Sequence, residues 1–122
     1  MKEIRVMIVE DNNLFANCIS RVMKKYEPIK VVGHVSSGLE YLNQAGKLLP
    51  DIALLGVKMD KTEVKETIKL SQKLFPQIKL IAFTFMREKQ YYKDLMKLGV
   101  QEIIYKDASL AEMVKSIKKV IE

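Results

Sequence analysis

The stretch "DIALLGVKMD", residues 51–60, decides the fold class. Its apolar residues 52–55 form a short unbroken run, which is typical of a strand that a parallel sheet buries on both faces. Ligands of such sheets bind beyond the carboxyl ends of the strands. The residue at the end of this strand is Gly56, the one residue type without a side chain.

The same alternation of apolar runs and helical patterns extends in both directions along the chain. Strands are predicted at residues 4–9, 29–35, 52–55, 78–84 and 100–105, and helices at 13–26, 37–48, 62–75, 87–98 and 109–121. Strict alternation predicts an α/β fold, a doubly wound five-stranded parallel sheet of flavodoxin-like order with helices on both faces. A closed eight-fold barrel needs more units. A dinucleotide fingerprint is excluded because no glycine-rich loop follows the first strand.

Length and hydropathy predict one domain over residues 1–122. The chain has 122 residues, 48% of them hydrophobic, which suits a single core. No apolar run approaches the roughly 20 residues that cross a bilayer. Glu10 and Asp11 interrupt the first apolar run too early for a signal peptide. We therefore expect a cytoplasmic protein without a membrane partner.

The few cysteine and histidine residues exclude several kinds of site. Cys18 is the only cysteine, so no intramolecular disulfide forms. It falls near Phe15 and Ile19 at helical spacing, which predicts a buried small hydrophobe in preference to a reactive thiol. His34, the only histidine, is expected at the surface near a strand end. One cysteine and one histidine do not make a zinc site.

The net charge is +6, with an isoelectric point near 9.4. This charge suits nucleic acid or an acidic protein surface, but it is spread along helices. Lysines recur every four residues on the third and fourth helices: Lys61, Lys65, Lys69, Lys73, then Lys89, Lys93 and Lys97. A solvated face is the favoured interpretation. Direct binding of nucleic acid stays an alternative, with Tyr91 and Tyr92 as the only stacking groups nearby.

Polar residues follow the predicted strands at one edge of the sheet. Glu10 and Asp11 end the first strand, Gly56 the third, Thr84 the fourth and Lys106 the fifth. In a flavodoxin-like order the third strand lies beside the first, so these residues converge. Two carboxylates, a hydroxyl and a lysine would suit a hard cation together with an anion.

Five motifs, in this order and spacing, resemble the receiver domain of response regulators in two-component signalling. They are "IRVMIVEDNNLF", "KVVGHVSSG", "PDIALLGVKM", "IAFT" and "GVQEIIYKDAS". The resemblance covers essentially the whole chain. The segments "PDIALL" and "KDAS" are most similar to receivers that precede a helix-turn-helix DNA-binding domain.

The resemblance implies a remnant phosphorylation pocket. Glu10 and Asp11 occupy the positions that hold magnesium, Thr84 the hydroxyl that senses the phosphoryl group, and Lys106 the lysine that contacts it. The phosphoryl-accepting aspartate corresponds to Gly56. Glycine offers no carboxylate to form an acyl phosphate. With one ligand missing, magnesium is expected to bind weakly at most.

Three further positions depart from the family pattern. Asp60 stands where a proline is usual, and Val64 where a glycine shapes a tight loop. Ile103 stands at the switch position, where an aromatic residue usually moves inward on activation. Together with Gly56, these departures favour a natural loss of phospho-switching over an engineered change.

These observations predict a pseudo-receiver, a phosphorylation-independent interaction module that is not an enzyme and requires no cofactor. It would act through a protein partner or its own dimer, using the fourth helix, fifth strand and fifth helix. Control of a linked DNA-binding output domain beyond residue 122 stays open. So does a phosphorelay receiver with a displaced acceptor, Asp60 or Asp107, although loop or capping roles are favoured for both. Without a phosphoryl group, Lys106 is expected to pair with Glu10 or Asp11, and Thr84 to satisfy local backbone groups.

Overall fold

A computed structural model describes residues 3–56 and 61–122, with the side chain of Lys61 left out. It confirms the predicted alternation of strands and helices. The elements are β1 Ile4–Val9, α1 Asn13–Met23, β2 Ile29–Val35, α2 Gly38–Leu48, β3 Ile52–Gly56, α3 Lys61–Leu74, β4 Lys79–Thr84, α4 Lys89–Lys97, β5 Glu102–Tyr105 and α5 Leu110–Ile121. None of the helices in the described part of the chain is long and apolar enough to cross a bilayer.

The five strands form one parallel sheet in the order β2-β1-β3-β4-β5. This is the predicted flavodoxin-like, doubly wound order. The register brings the strand ends level, because Val9 lies opposite Leu55, and Thr84 opposite Tyr105. We call this side of the sheet, where β1, β3, β4 and β5 end, the carboxyl edge.

Both faces of the sheet are covered by helices. Alternate strand residues point to opposite faces, so Leu54 packs with α1 and α5, while Leu55 packs with α2, α3 and α4. Every residue of β3 is buried. Burial on both faces explains why this strand is an unbroken apolar run rather than an alternating one.

Side-chain caps fix where several helices begin. The Asn12 side chain caps α1 by accepting a hydrogen bond from the Phe15 N–H at 3.0 Å, so the helix begins at Asn13, three residues after Glu10. The Ser109 hydroxyl caps α5 through the Glu112 N–H at 3.2 Å. Gly99 follows α4 with a φ of +103°, a conformation that favours glycine.

Several element boundaries differ from the prediction, mostly by one residue. The fourth helix begins at Lys89 instead of residue 87, and two other differences have a hydrogen-bond cause. The first helix ends at Met23 instead of Tyr26, because the Tyr26 N–H bonds the Met23 carbonyl at 3.0 Å and tightens the last turn. The last strand begins at Glu102 instead of residue 100, because the Val100 N–H still bonds the Leu95 carbonyl of α4 at 3.4 Å.

The prediction that Cys18 is buried is wrong, because its side chain is exposed. The buried residues of α1 are Ala16, Ile19 and Met23. At about 100° per residue, Cys18 lies well away from the middle of that face. His34 lies one residue before the end of β2 and is half-buried, and its Nε2 lies 3.1 Å from the Glu10 carbonyl oxygen.

The structure changes the interpretation of Val64. This residue lies inside α3 and is buried in the same apolar cluster as Tyr91 and Leu95 of α4, so it is a core residue and shapes no loop. Asp60, the other departure in this region, lies outside the described residues.

Gly38→Ala should destabilise the contact between α2 and α3. A β-carbon at Gly38 would lie 3.1 Å from both Cβ and Cγ2 of the buried Thr67, so the two helices would have to separate. We expect a loss of about 1–3 kcal/mol in the free energy of unfolding, measured by urea denaturation. Gly46→Ala is the matched control, because its nearest new contact is Phe75 Cε1 at 3.6 Å. That change should be neutral or stabilise by up to about 1 kcal/mol. Equal effects of the two substitutions would contradict this packing.

Candidate functional site

The carboxyl edge brings together four of the residues singled out in the sequence. Glu10 follows β1, Gly56 ends β3, Thr84 ends β4 and Lys106 follows β5, and all four are buried. We call these four residues the strand-end site. Backbone bonds hold it in place, because the Glu10 N–H bonds the Val35 carbonyl and the Lys106 N–H bonds the Thr84 carbonyl, each at 2.9 Å.

A buried ion pair occupies the centre of the strand-end site. The Lys106 ammonium donates a hydrogen bond to Oε1 of Glu10, and the two side chains are only 4% and 1% exposed. The other oxygen, Oε2, accepts from the Asn12 N–H at 3.0 Å. Both oxygens of the Glu10 carboxylate are therefore engaged. Of the two partners expected for Lys106, the structure selects Glu10, while the Asp11 side chain is exposed.

Three aromatic rings surround the Lys106 ammonium. Its Nζ lies 4.9 Å from the ring centroid of Phe15, 5.7 Å from that of Phe83 and 5.8 Å from that of Phe85. Such contacts attract a cation electrostatically and limit the access of water. Sequence reasoning missed these rings, although Phe83 and Phe85 flank Thr84 at the two-residue spacing that places side chains on one side of a strand.

The Glu10 carboxylate lies in the space that a side chain at position 56 would enter. A β-carbon built on Gly56 would lie 2.9 Å from Cδ of Glu10 and closer still to Oε1, and 3.0 Å from the carbonyl oxygen of Val9. Any residue larger than glycine would therefore displace the carboxylate from its present position. The sequence carries no signal of this contact between residues 46 positions apart.

The remaining polar groups of the carboxyl edge are engaged locally. The Thr84 hydroxyl oxygen accepts a hydrogen bond from the Met86 N–H at 3.0 Å, which matches the expectation that it satisfies nearby backbone. Asp107 pairs with Arg87 at 2.5 Å, and both side chains are more than half exposed. The Arg87 guanidinium also lies 4.1 Å from the ring centroid of Tyr105. Together these contacts connect the loop after β4 with the loop after β5.

Within residues 3–56 and 61–122, no cluster of three histidine, cysteine or acidic side chains could hold a metal ion. Glu10 is turned towards Lys106 and Asn12, while Asp11 faces solvent. Weak magnesium binding by Glu10 and Asp11 stays a prediction. Ile103, at the switch position, is half-buried and packs against the apolar cluster that contains α4.

The lysines of α3 and α4 face solvent wherever their side chains are described. They are Lys65, Lys69 and Lys73 on α3, and Lys89, Lys93 and Lys97 on α4. Of the two candidate stacking residues, Tyr91 is buried, and burial raises the pKa of its phenol. Tyr92 is 42% exposed. Aromatic support for nucleic-acid binding is therefore weaker than the sequence suggested.

Comparison with known proteins gives consistent matches along nearly the whole chain. A sequence profile described as "Response regulator receiver domain" matches residues 6–118. The response regulator GacA of Pseudomonas viridiflava is 35% identical over 117 residues, which are 96% of this chain and 55% of that protein. The response regulator protein VraR of Staphylococcus epidermidis is 32% identical over 120 residues, 98% of this chain and 57% of that protein. The chain thus spans just over half the length of these two relatives.

A solved structure shows the same fold. A DNA-binding response regulator of the LuxR family from Staphylococcus aureus superposes with a TM-score of 0.87 at 21% identity. The match covers 97% of this chain and 98% of that one. At this level of identity the likeness establishes the arrangement of strands and helices and nothing finer.

Lys106→Met should destabilise the protein strongly, because it leaves the Glu10 carboxylate buried without its cation. We expect a loss of about 3–5 kcal/mol in the free energy of unfolding, measured by urea denaturation at neutral pH. Arg87→Met is the control: it removes a cation from an exposed pair and should cost at most about 1 kcal/mol. Glu10→Gln combined with Lys106→Met should recover part of the loss, since both charges are then absent. Similar effects of Lys106→Met and Arg87→Met would show that the buried pair contributes nothing special.

Proposed function

The chain belongs to the response regulator receiver domains, and on this premise we propose that it is a pseudo-receiver. In this role it serves two-component signalling as a phosphorylation-independent, non-enzymatic interaction module in the cytoplasm. The observation that carries the proposal is the strand-end site itself. Gly56 stands where the family has its phosphoryl acceptor, and a buried Glu10–Lys106 pair fills the space around it.

The chemistry of the site supports the absence of phosphoryl transfer at this position. An acyl phosphate forms when a carboxylate oxygen attacks the phosphorus of the donor, and glycine has no such oxygen. Lys106, which would contact the transferred group, is already neutralised by Glu10. A phosphoryl donor could reach the one carboxylate of the strand-end site, that of Glu10, only after the buried Glu10–Lys106 pair had separated.

Metal binding is also disfavoured at the strand-end site. Hard divalent cations need several oxygen ligands, and affinity rises with the number of charged ones. Gly56 supplies no carboxylate, and both oxygens of Glu10 accept hydrogen bonds from Lys106 and Asn12. Asp11 alone, with water, would hold magnesium weakly, so we propose that the module needs no metal.

The two residues at the switch positions of the family, Thr84 and Ile103, also favour a domain that does not respond to phosphorylation. The Thr84 hydroxyl is bonded to the Met86 N–H, so its oxygen is engaged within its own loop. Ile103 has no ring to move between an inward and an outward position. A switch needs two states that a ligand or modification distinguishes. We propose that the domain remains in one state of the strand-end site and that partner binding provides the regulation.

The proposed partner surface consists of α4, β5 and α5. Tyr92 and Met96 of α4 are partly exposed there, next to the basic residues Lys89 and Lys93. Tyrosine and methionine are enriched at protein interfaces. Because a structural match is described as a DNA-binding response regulator, we propose that this surface docks a second copy of the domain or a linked DNA-binding domain.

Incubation with acetyl phosphate and magnesium, followed by intact-mass spectrometry, tests the proposal. We expect no phosphoryl adduct. Asp107→Asn is the matched variant for the rival function, a phosphorelay receiver with a displaced acceptor. An adduct on the parent chain that disappears in Asp107→Asn would establish that rival, and an adduct that persists would point to another carboxylate. Either result would overturn the pseudo-receiver. We expect no adduct at Asp107, because its carboxylate is paired with Arg87 at the surface, away from the buried strand-end site.

A further inference from the structure

We propose that Glu10 is the internal substitute for the missing acceptor carboxylate, and that Gly56 is required because it leaves room for Glu10. The inference rests on the proposed function and deepens it, since it identifies the group that keeps the strand-end site closed. On this inference, Glu10 holds the Lys106 ammonium in place. The residue tolerated at position 56 then depends on the residue at position 10, and the reverse also holds.

The first argument is volume. The carboxylate of Glu10 reaches across from the end of β1 to the end of β3, where it lies within 2.9 Å of a β-carbon built on Gly56. The backbone carbonyl of Val9 lies 3.0 Å from the same point, so the added atom has little freedom to move aside. Even alanine at position 56 would therefore push the carboxylate out of this space. Only glycine leaves the present arrangement undisturbed.

The second argument is charge. The Lys106 side chain is nearly inaccessible to water, and a buried ammonium without a counter-ion is strongly unfavourable. A carboxylate on a side chain at position 56 would enter the space beside this lysine that Oε1 of Glu10 now occupies. Here the only carboxylate that the structure places against Lys106 within the described residues is that of Glu10. Glu10 thus supplies the negative charge that the residue at position 56 lacks.

The third argument is enclosure. The rings of Phe15 and Phe83 lie 5.4 Å apart, and both lie near the Lys106 ammonium. The Asn12 N–H holds the second oxygen of Glu10 at 3.0 Å. The carboxylate is therefore held from two sides, by a cation and by the start of α1. The Glu10 carboxylate is therefore a fixed counter-ion of Lys106.

Competition between two carboxylates follows from these arguments. If an aspartate replaced Gly56, it and Glu10 would compete for the same space and the same lysine, and two adjacent negative charges repel. If Glu10 were first shortened to alanine, the aspartate would instead find vacant space and an unpaired lysine. The effect of Gly56→Asp on stability must therefore change sign with the residue at position 10.

Four proteins test this reversal: the parent, Glu10→Ala, Gly56→Asp and the double variant, melted in buffer that contains a chelator to exclude metal rescue. We expect Glu10→Ala to lower the melting temperature by about 10 °C. Gly56→Asp should lower the melting temperature of the parent by several degrees, yet raise that of Glu10→Ala. Gly46→Ala, at an exposed site where a β-carbon makes only an ordinary contact with Phe75, is the control and should shift both backgrounds equally.

Additive effects of Glu10→Ala and Gly56→Asp, or a destabilising Gly56→Asp in both backgrounds, would overturn the inference. If Glu10→Ala does not fold, the milder Glu10→Gln replaces it in the same cycle. Gly56→Asp should then destabilise less than in the parent, because the competing charge is gone while the competing volume stays, and additive effects would again overturn the inference. The two proposals fail differently. A phosphoryl adduct on the parent overturns the pseudo-receiver, whereas an additive cycle overturns only the assignment of Glu10.

Discussion

The buried ion pair between Glu10 and Lys106 is the interaction on which the carboxyl edge depends. A lysine that a parallel sheet places at the end of β5, beneath aromatic rings, loses the hydration that would stabilise its charge. It then requires an anion at contact distance. That requirement turns Glu10 inward and, through the space its carboxylate fills, excludes a side chain at position 56.

The topology of the sheet explains why this constraint involves residues so far apart in sequence. Parallel strands in the order β2-β1-β3-β4-β5 end level with one another, so the residues after β1 and β5 meet across the intervening strand ends. Glu10 and Lys106 are 96 positions apart and still form a direct hydrogen bond. Because both are tied to neighbouring strands through their backbone N–H groups, the pair links the beginning and end of the domain. Removing either partner of this pair should therefore affect the stability of the domain as well as the geometry of the site.

The fold and the strand-end residues of the site could be predicted from the sequence, because unbroken apolar runs and helical periodicity are local signals. The aromatic rings around Lys106 were missed. Strand order and strand ends then indicated which residues would converge. The sequence could not predict whether Glu10 or Asp11 pairs with Lys106. The outcome depends on the space that Gly56 leaves and on the Asn12 N–H, which bonds the second oxygen of Glu10. The error at Cys18 has a local cause, because helical periodicity defines the buried face only to within about one residue.

An internal carboxylate differs from a phosphoryl group in one respect that bears on signalling. A phosphoryl group comes and goes, so it creates two populations, whereas a side chain of the same chain is present at all times. A ligand shifts a protein between states only when it binds one of them better. With Glu10 always in place, the strand-end site offers no vacant state to be filled. On the proposed function, variation must then enter elsewhere, through a surface whose occupancy changes. The face of α4, β5 and α5, where Tyr92 and Met96 are partly exposed, meets that requirement.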